Sequence, residues 1–305
     1  MSGLYQDPYW PRASAWLAGE TLPNAKGRLS VLGAPVARSS ITPGRCDLAP
    51  AAIRAALERF STADLHAGKD VRSVAVRDRG DLPIAGMDAE QSFGPIRDAV
   101  SREMSGTTAV VLLGGDNTIT RGGVHGLGLP LQRCGLITLD AHLDLRHLDD
   151  GLNNGNPVRA LVAEGLPGDQ IVQIGLQSFA NSPAYALLAR EFGIQTLTVE
   201  DVQEYGIAKV MANALADLGH RVDRLYVDVD LDVLDRAFAP AAPGSRPGGL
   251  SPWEIRLAAQ MCGAHHKVHV IDFVEIDPTK DIADCTVMAA ASCLLAFASG
   301  VAQRW

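Results

Sequence analysis

Apolar and polar positions along this chain alternate between two textures: short runs dense in Val, Ile and Leu, and longer stretches in which apolar residues return every three or four positions. Eight runs have the first texture: "RLSVLGAP", "VRSVAVRD", "TTAVVLLGG", "CGLITLDAH", "QIVQIGLQS", "GIQTLTVED", "RLYVDVDLD" and "HKVHVIDFVE". Near-continuous apolarity, rather than strict alternation, marks strands covered on both faces. Helical spacing fills several of the gaps, in "APAAIRAALERF", "SPAYALLAREFG", "AKVMANALADLG" and the Ala-rich "DCTVMAAASCLLAFAS". The pattern predicts an α/β protein on a mostly parallel sheet. Eight strands could close into a barrel or lie open, and periodicity does not choose between them. The chain shows no internal repeat and no low-complexity linker, so residues 1–305 read as one unit. The Pro/Gly-rich "FAPAAPGSRPGGLSP" is long for a connection but follows an acid-rich strand, and it reads as a functional loop.

Composition narrows the class. A formal net charge of -8 argues against nucleic acid as partner, since phosphate binding needs a basic face and no compact Lys/Arg run is present. Cys46, Cys134, Cys262, Cys285 and Cys293 are odd in number and widely spaced, which argues against a disulfide framework and fits a reducing cytoplasm. The N-terminal stretch has no basic region followed by an apolar core, and no apolar run reads as approaching the ~20 residues of a membrane span. Neither export nor membrane insertion is expected.

The candidate chemistry lies where the strands end. In "LITLDAHLDLRHLDD", a strand that continued through the acids would project Asp140, His142 and Asp144 to one side. Without a cation between them such groups would repel and desolvate badly. Three further runs end in polar groups: "LLGGDNT" (Asp116, Asn117), "DVDLDVLD" (Asp228, Asp230, Asp232, Asp235) and "IDFVEIDP" (Asp272, Glu275, Asp277). Ligands of parallel α/β folds collect at such carboxyl ends. A lone Asp-x-His or Asp-x-Asp is usually a cap or a turn; the combination points to a metal site. Carboxylates with one imidazole suit manganese or a similar hard divalent ion better than zinc. Gly114 and Gly115 would let the backbone turn sharply beside it. His125, His147, His220, His265 and His266 lack partners at ligand spacing and read as surface or supporting residues.

The motifs "GGDN", "DAHLD", "NGNPV", "DLDVLDRAFAP" and "EIDPTKD", in this order, resemble the ureohydrolase superfamily of arginase, agmatinase and formimidoylglutamase. "VLGAP" and "CDLAPAAIRAAL" look like its first strand and following helix, so the resemblance spans nearly the whole chain. It implies a three-layer α/β/α fold around an open eight-stranded parallel sheet, a dimanganese site, and frequent trimers or hexamers. By the same resemblance Asp140, His142, Asp144, Asp230 and Asp232 are metal ligands and Glu275 faces the amidino nitrogens. Two positions depart from the pattern: Asn117 stands where a histidine ligand is usual, and Asn154 where arginases and agmatinases place a proton-transferring histidine. An amide oxygen is the weaker ligand, so the first metal position should be weakened or empty, and Asn cannot shuttle a proton at neutral pH.

Formimidoylglutamases also lack the second histidine, and resemble this chain in the Pro and Arg of "NGNPVRAL" and in Arg146. Arg146 and Arg159 would suit a substrate bearing carboxylates, the alternative being salt bridges to acids such as Asp149 or Asp150. The expected activity is metal-dependent hydrolysis of N-formimino-L-glutamate to glutamate and formamide, with Asp144 as ligand and proton carrier. Two alternatives stand beside it: a guanidino-compound hydrolase releasing urea, and a metal-poor, non-catalytic scaffold or regulatory subunit.

Overall fold

Each of the eight apolar runs forms a strand in the computed structural model, which describes Tyr5 and residues 7–305. In chain order these are β1 (Arg28–Gly33), β2 (Ala75–Asp81), β3 (Ala109–Leu113), β4 (Cys134–Leu139), β5 (Ile171–Leu176), β6 (Gln195–Thr198), β7 (Arg224–Asp230) and β8 (Val268–Val274). They lie in the order β2-β1-β3-β8-β7-β4-β5-β6, and every adjacent pair is parallel. The sheet is open, with β2 and β6 at its edges, which decides the question that periodicity left. The four strands whose ends carry the acids, β3, β8, β7 and β4, are the four contiguous central ones. Register brings Asp272 of β8 beside Asp228 of β7, and Thr138 of β4 beside the other flank of Asp228.

Alternate side chains on each strand feed two separate apolar layers. Leu29, Val31, Val111, Ile137, Val227 and Phe273 pack on one face, against the helices Ala49–Ala56, Ile207–Arg221, Pro252–Ala264 and Cys285–Val301. Leu32, Val110, Leu112, Leu136, Tyr226 and Val270 pack on the other, against Ala89–Met104, Ile119–His125, Pro157–Ala163 and Pro183–Phe192. The result is the three-layer α/β/α arrangement that parallel crossover connections require. Several of these helices were not legible in advance. Ala89–Met104 carries Gly94 and Pro95 inside it, which disguise its period; it is begun by a capping box, Asp88 accepting from the N–H of Gln91 at 2.9 Å while the Gln91 side chain accepts from the N–H of Asp88 at 3.1 Å.

The C-terminal helix corrects the expectation about apolar runs. Cys285–Arg304 is 20 residues long with a mean hydropathy of 1.9, enough by length and composition to cross a membrane, yet 78% of its most apolar window is buried inside the fold. It is apolar all round because it is packed all round. Against Pro252–Ala264 the approach is backbone to backbone: a Cβ on Gly300 would lie 2.0 Å from the Gln260 carbonyl oxygen, and one on Gly263 would lie 2.1 Å from that of Phe297. The five cysteines are all free, Cys285 exposed and the others buried, in agreement with their spacing. Gly300→Ala should therefore destabilise the protein by about 1–3 kcal/mol or more, because two backbones and no flexible side chain would have to move. Urea unfolding measures this, and an unchanged midpoint would contradict such close helix packing.

Candidate metal centre

β4 stops at Leu139, so the acids after it do not converge by strand alternation as expected. Residues 140–144 leave the sheet in irregular backbone: Asp140 N–H still donates to the Ile174 carbonyl (3.0 Å), His142 N–H turns back to Asp140 Oδ1 (2.6 Å), and Asp144 adopts φ +52°. Beyond β7 the same device recurs. Asp232 lies in the short 3-10 turn Leu231–Val233, and its N–H donates to Asp230 Oδ1 at 2.7 Å. Ala141 N–H, donating to Asp232 Oδ1 at 3.2 Å, ties the two loops together. Ligand atoms of Asp140, His142 and Asp232 thereby lie within 4.8 Å of one another, with His142 Nδ1 2.9 Å from Asp232 Oδ2 and 3.5 Å from Asp140 Oδ1.

Glu275, just past β8, is the second site residue in left-handed backbone, at φ +61°. For a residue other than glycine that conformation costs roughly 1 kcal/mol or more and persists only where surrounding contacts enforce it. Here Glu275 N–H donates to the Gly115 carbonyl (2.9 Å), while Glu275 Oε1 accepts from Asn117 N–H (2.8 Å) and Asn154 Nδ2 (3.0 Å). Asn154 is fixed in turn by Ile41, whose N–H donates to its Oδ1 at 2.9 Å. Gly114 and Gly115 serve close approach rather than a special turn. Neither has positive φ, and a Cβ on Gly115 would lie 1.9 Å from the Val36 carbonyl oxygen. Asn117 turns its amide nitrogen, not its oxygen, toward Asp144 (Nδ2 to Oδ2, 2.5 Å), with Oδ1 facing the Thr120 hydroxyl at 2.8 Å.

Beneath these residues Asp272 accepts from the Tyr226 hydroxyl (2.5 Å) and lies within 3.0 Å of that of Thr120; Asp228 is fully buried beside it. Burial, with Asp272 adjacent, pushes the Asp228 carboxyl well above the usual carboxylate range. The remaining acids sort differently. Asp116 is buried under its neighbour Thr118; Asp235 and Asp277 accept from backbone N–H groups of Ala237 and Thr279 and act as turn caps. His125 faces Glu164 at 2.8 Å, and His147 faces Asp149 and Asp150 at 3.7 and 3.5 Å, so neither reaches the centre. Arg146 is exposed and Arg159 half-buried with its Nη1 on the Leu145 carbonyl (3.2 Å); among the described residues neither forms an ion pair, so the salt bridges weighed above do not occur.

Asp140, Asp144, Asp230, Asp232 and Glu275 are all at least nine-tenths buried, and His142 is the basic side chain among them. Desolvation first, and then neighbouring acids, push Asp140 up to about 7 and Glu275 up to about 8, and push Asp144 and Asp230 well above the usual carboxylate range. Asp140 Oδ2 is buried with no hydrogen-bond partner. Such a set is unfavourable alone and suited to a hard divalent cation, which would neutralise it and occupy the orphaned oxygen. The residues present therefore fit a metal.

Sequence reasoning missed Arg246. From the Pro/Gly-rich loop its Nη1 reaches His142 Nε2 at 2.8 Å and the Gly244 carbonyl at 2.9 Å. A guanidinium can only donate, so in this contact Nε2 is the acceptor and the ring proton sits on Nδ1 toward Asp232, the neighbour that does most to raise the imidazole's pKa, to about 11. A lone cation inside a Pro/Gly run after the acid-rich strand was the available signal. A separate open cavity of about 450 Å³, lined by Phe60, Asp64, Trp253 and Arg256 among others, includes none of these residues.

Residues 28–299 match the model of the arginase family. A formimidoylglutamase of Halalkalibacterium halodurans is 35% identical over 274 residues, 88% of this chain and 86% of the relative. The crystal structure of a formimidoylglutamase from Bacillus subtilis superposes with a TM-score of 0.90 at 30% identity, covering 99% of this chain and 95% of that one. A formiminoglutamase of Trypanosoma cruzi solved with Mn2+ shares the fold, with a TM-score of 0.86 at 22% identity over 97% of this chain and 100% of that one.

The raised acids set a pH dependence. Glu275 rises from 4.5 to about 8 and Asp140 from 3.8 to about 7, so between about pH 4 and pH 8 the metal-free fold holds protons that the unfolded chain has released. Stability then falls as pH rises through that window. Thermal melts of metal-free protein should drop by several degrees from pH 5 to pH 8, and added Mn2+ should raise the midpoint more at pH 8 than at pH 5. A midpoint that climbs with pH in metal-free protein would contradict the buried acid cluster.

Proposed function

This chain belongs to the arginase family, and on that premise we propose that it is a manganese-dependent formimidoylglutamase, converting N-formimino-L-glutamate and water to L-glutamate and formamide. The observation that carries the choice of substrate is the similarity to formimidoylglutamases over nearly the full length of both chains. The acid cluster supports the metal. In this reading Asp140, His142, Asp144, Asp230 and Asp232 hold one or two manganese ions, with Asn117 contributing only if its amide reverses to present oxygen. Manganese bound there would lower the pKa of water enough to supply hydroxide near neutral pH.

The protein's own groups then carry the rest of the mechanism. Glu275, pinned by Asn117 and Asn154, accepts N–H bonds from the formimino nitrogens and presents their carbon to the nucleophile. An amidinium beside it would draw Glu275 back to its charged form. Oxygen adds to the formimino carbon; Asp144 takes the proton released and gives it to the glutamate nitrogen as that C–N bond breaks. Asn154 positions Glu275 and transfers no proton, since an amide has none to exchange at neutral pH. Arg146 and Arg159, without carboxylate partners of their own, align the substrate's carboxylates. The reading also makes the protein a cytoplasmic homo-oligomer, a trimer or hexamer, whose mass in solution sedimentation would report.

Protein reconstituted with manganese should release glutamate and formamide from N-formimino-L-glutamate, and chelated protein should not. Asp144→Ala should lower kcat by at least a hundredfold, while Arg146→Ala should mainly raise KM, by about tenfold, the size of one lost charged hydrogen bond. Urea from a guanidino compound, with no formamide from formiminoglutamate, would replace this substrate assignment.

A further inference from the structure

We propose that Arg246 is a further specificity residue of this site, held on His142 in the metal-free protein and released by metal binding to pair with a carboxylate of the substrate. The inference rests on the reading above for the substrate and on geometry for the rest. The Pro/Gly-rich loop lies so close to the acid cluster that a Cβ on Gly244 would fall 2.1 Å from Asp232 Oδ2 and 2.8 Å from His142 Cε1. Its backbone is tied: Arg236 N–H donates to the Arg246 carbonyl (3.0 Å), Arg236 Nη1 to Ser245 (3.1 Å), and Gly248 N–H to Asp235 Oδ2 (2.6 Å). The Arg246 side chain, by contrast, is exposed and uses a single nitrogen, Nη1, for both of its contacts. Nε and Nη2, one edge of the guanidinium fork, have no partner among the described residues, and Arg246 forms no ion pair there. A carboxylate matches that edge bidentately.

Hydrogen-bond chemistry supplies the release. Nδ1 is the nitrogen that faces Asp140 and Asp232, so it is the one available to an ion held between them. Coordination needs its lone pair, and the ring N–H then sits on Nε2. Two donors, Nε2–H and Nη1–H, would face each other across 2.8 Å, and the guanidinium has to swing away. Filling the site thus frees a cation at its mouth, where the surrounding acids would otherwise repel an anionic substrate.

Two measurements on full-length Arg246→Ala and Arg246→Lys test this. Calorimetric titration of Mn2+ into metal-free protein reads the first half whatever the substrate is: Arg246→Ala should bind Mn2+ several-fold more tightly than wild type, because no donor has to be displaced. Equal or weaker binding, in a variant whose thermal midpoint matches wild type, would overturn the proposal. Kinetics of the manganese-loaded proteins read the second half. For N-formimino-L-glutamate, Arg246→Ala should raise KM at least tenfold with kcat within threefold, and Arg246→Lys should recover part of the loss. For N-formimino-4-aminobutyrate, which lacks one carboxylate, the alanine variant and wild type should differ less. An unchanged KM in an active enzyme would overturn the pairing. Wild-type protein inactive on formiminoglutamate would instead overturn the substrate reading and leave the Mn2+ titration to decide whether Arg246 is displaced.

Discussion

Buried like charge is the constraint on which the rest of this structure depends. Five carboxylates at the ends of the central strands share one imidazole, in a place where water cannot screen them. A fold that assembles such a set must either keep protons on it or supply cations. Asp272, deep in the sheet, accepts from the Tyr226 hydroxyl, while both carboxylate oxygens of Asp228 beside it are buried without a hydrogen-bond partner. Asp140 and Asp232, nearer the surface, converge on His142 and leave an oxygen unpaired. With His142 they form the group whose ligand atoms could hold an ion.

Convergence comes from loops that leave the sheet under strain, and the open parallel sheet makes that possible. Its four central strands end on one edge, so short departures after β3, β4, β7 and β8 meet without long insertions. Two of those departures put a non-glycine residue into left-handed backbone, Asp144 and Glu275, and both carry chemistry in the proposed reaction. Backbone bonds hold them there, Glu275 through Gly115 and Asp144 through Arg159, whose N–H donates to its carbonyl at 3.2 Å. Strain at these two positions fixes carboxylates that flexible loops would let drift apart.

Much of this was legible in the chain because parallel strands announce themselves as solid apolar runs, and acids that end such runs stand out. The eight strands and the groups at their ends follow from that alone. What failed has specific causes. Pro95 and Gly94 hid a sixteen-residue helix by interrupting its period. The alternation in "DAHLD" suggested a continuing strand, whereas the acids' own side chains cap the backbone and turn it out of the sheet. Burial of the last helix is a tertiary fact: its composition is equally that of a membrane span, and only its packing on Gly263 and neighbouring residues separates the two. Arg246 escaped notice because a single cation in a flexible-looking loop carries no spacing signal until the loop is seen lying on Asp232.

Asn117 shows how a departure from a family pattern can be read physically. An imidazole at that position would offer a stronger ligand; the amide, turned with its nitrogen toward Asp144, joins two acids at once, through its backbone N–H to Glu275 and its side chain to Asp144. In the metal-free protein it therefore replaces some of the neutralisation that an ion would give. In the proposed reading the same exchange governs His142, which faces Asp232 through Nδ1 and Arg246 through Nε2 until coordination would claim Nδ1. On that reading, affinity for metal would be set as much by the hydrogen bonds that must be given up as by the ligands that are gained.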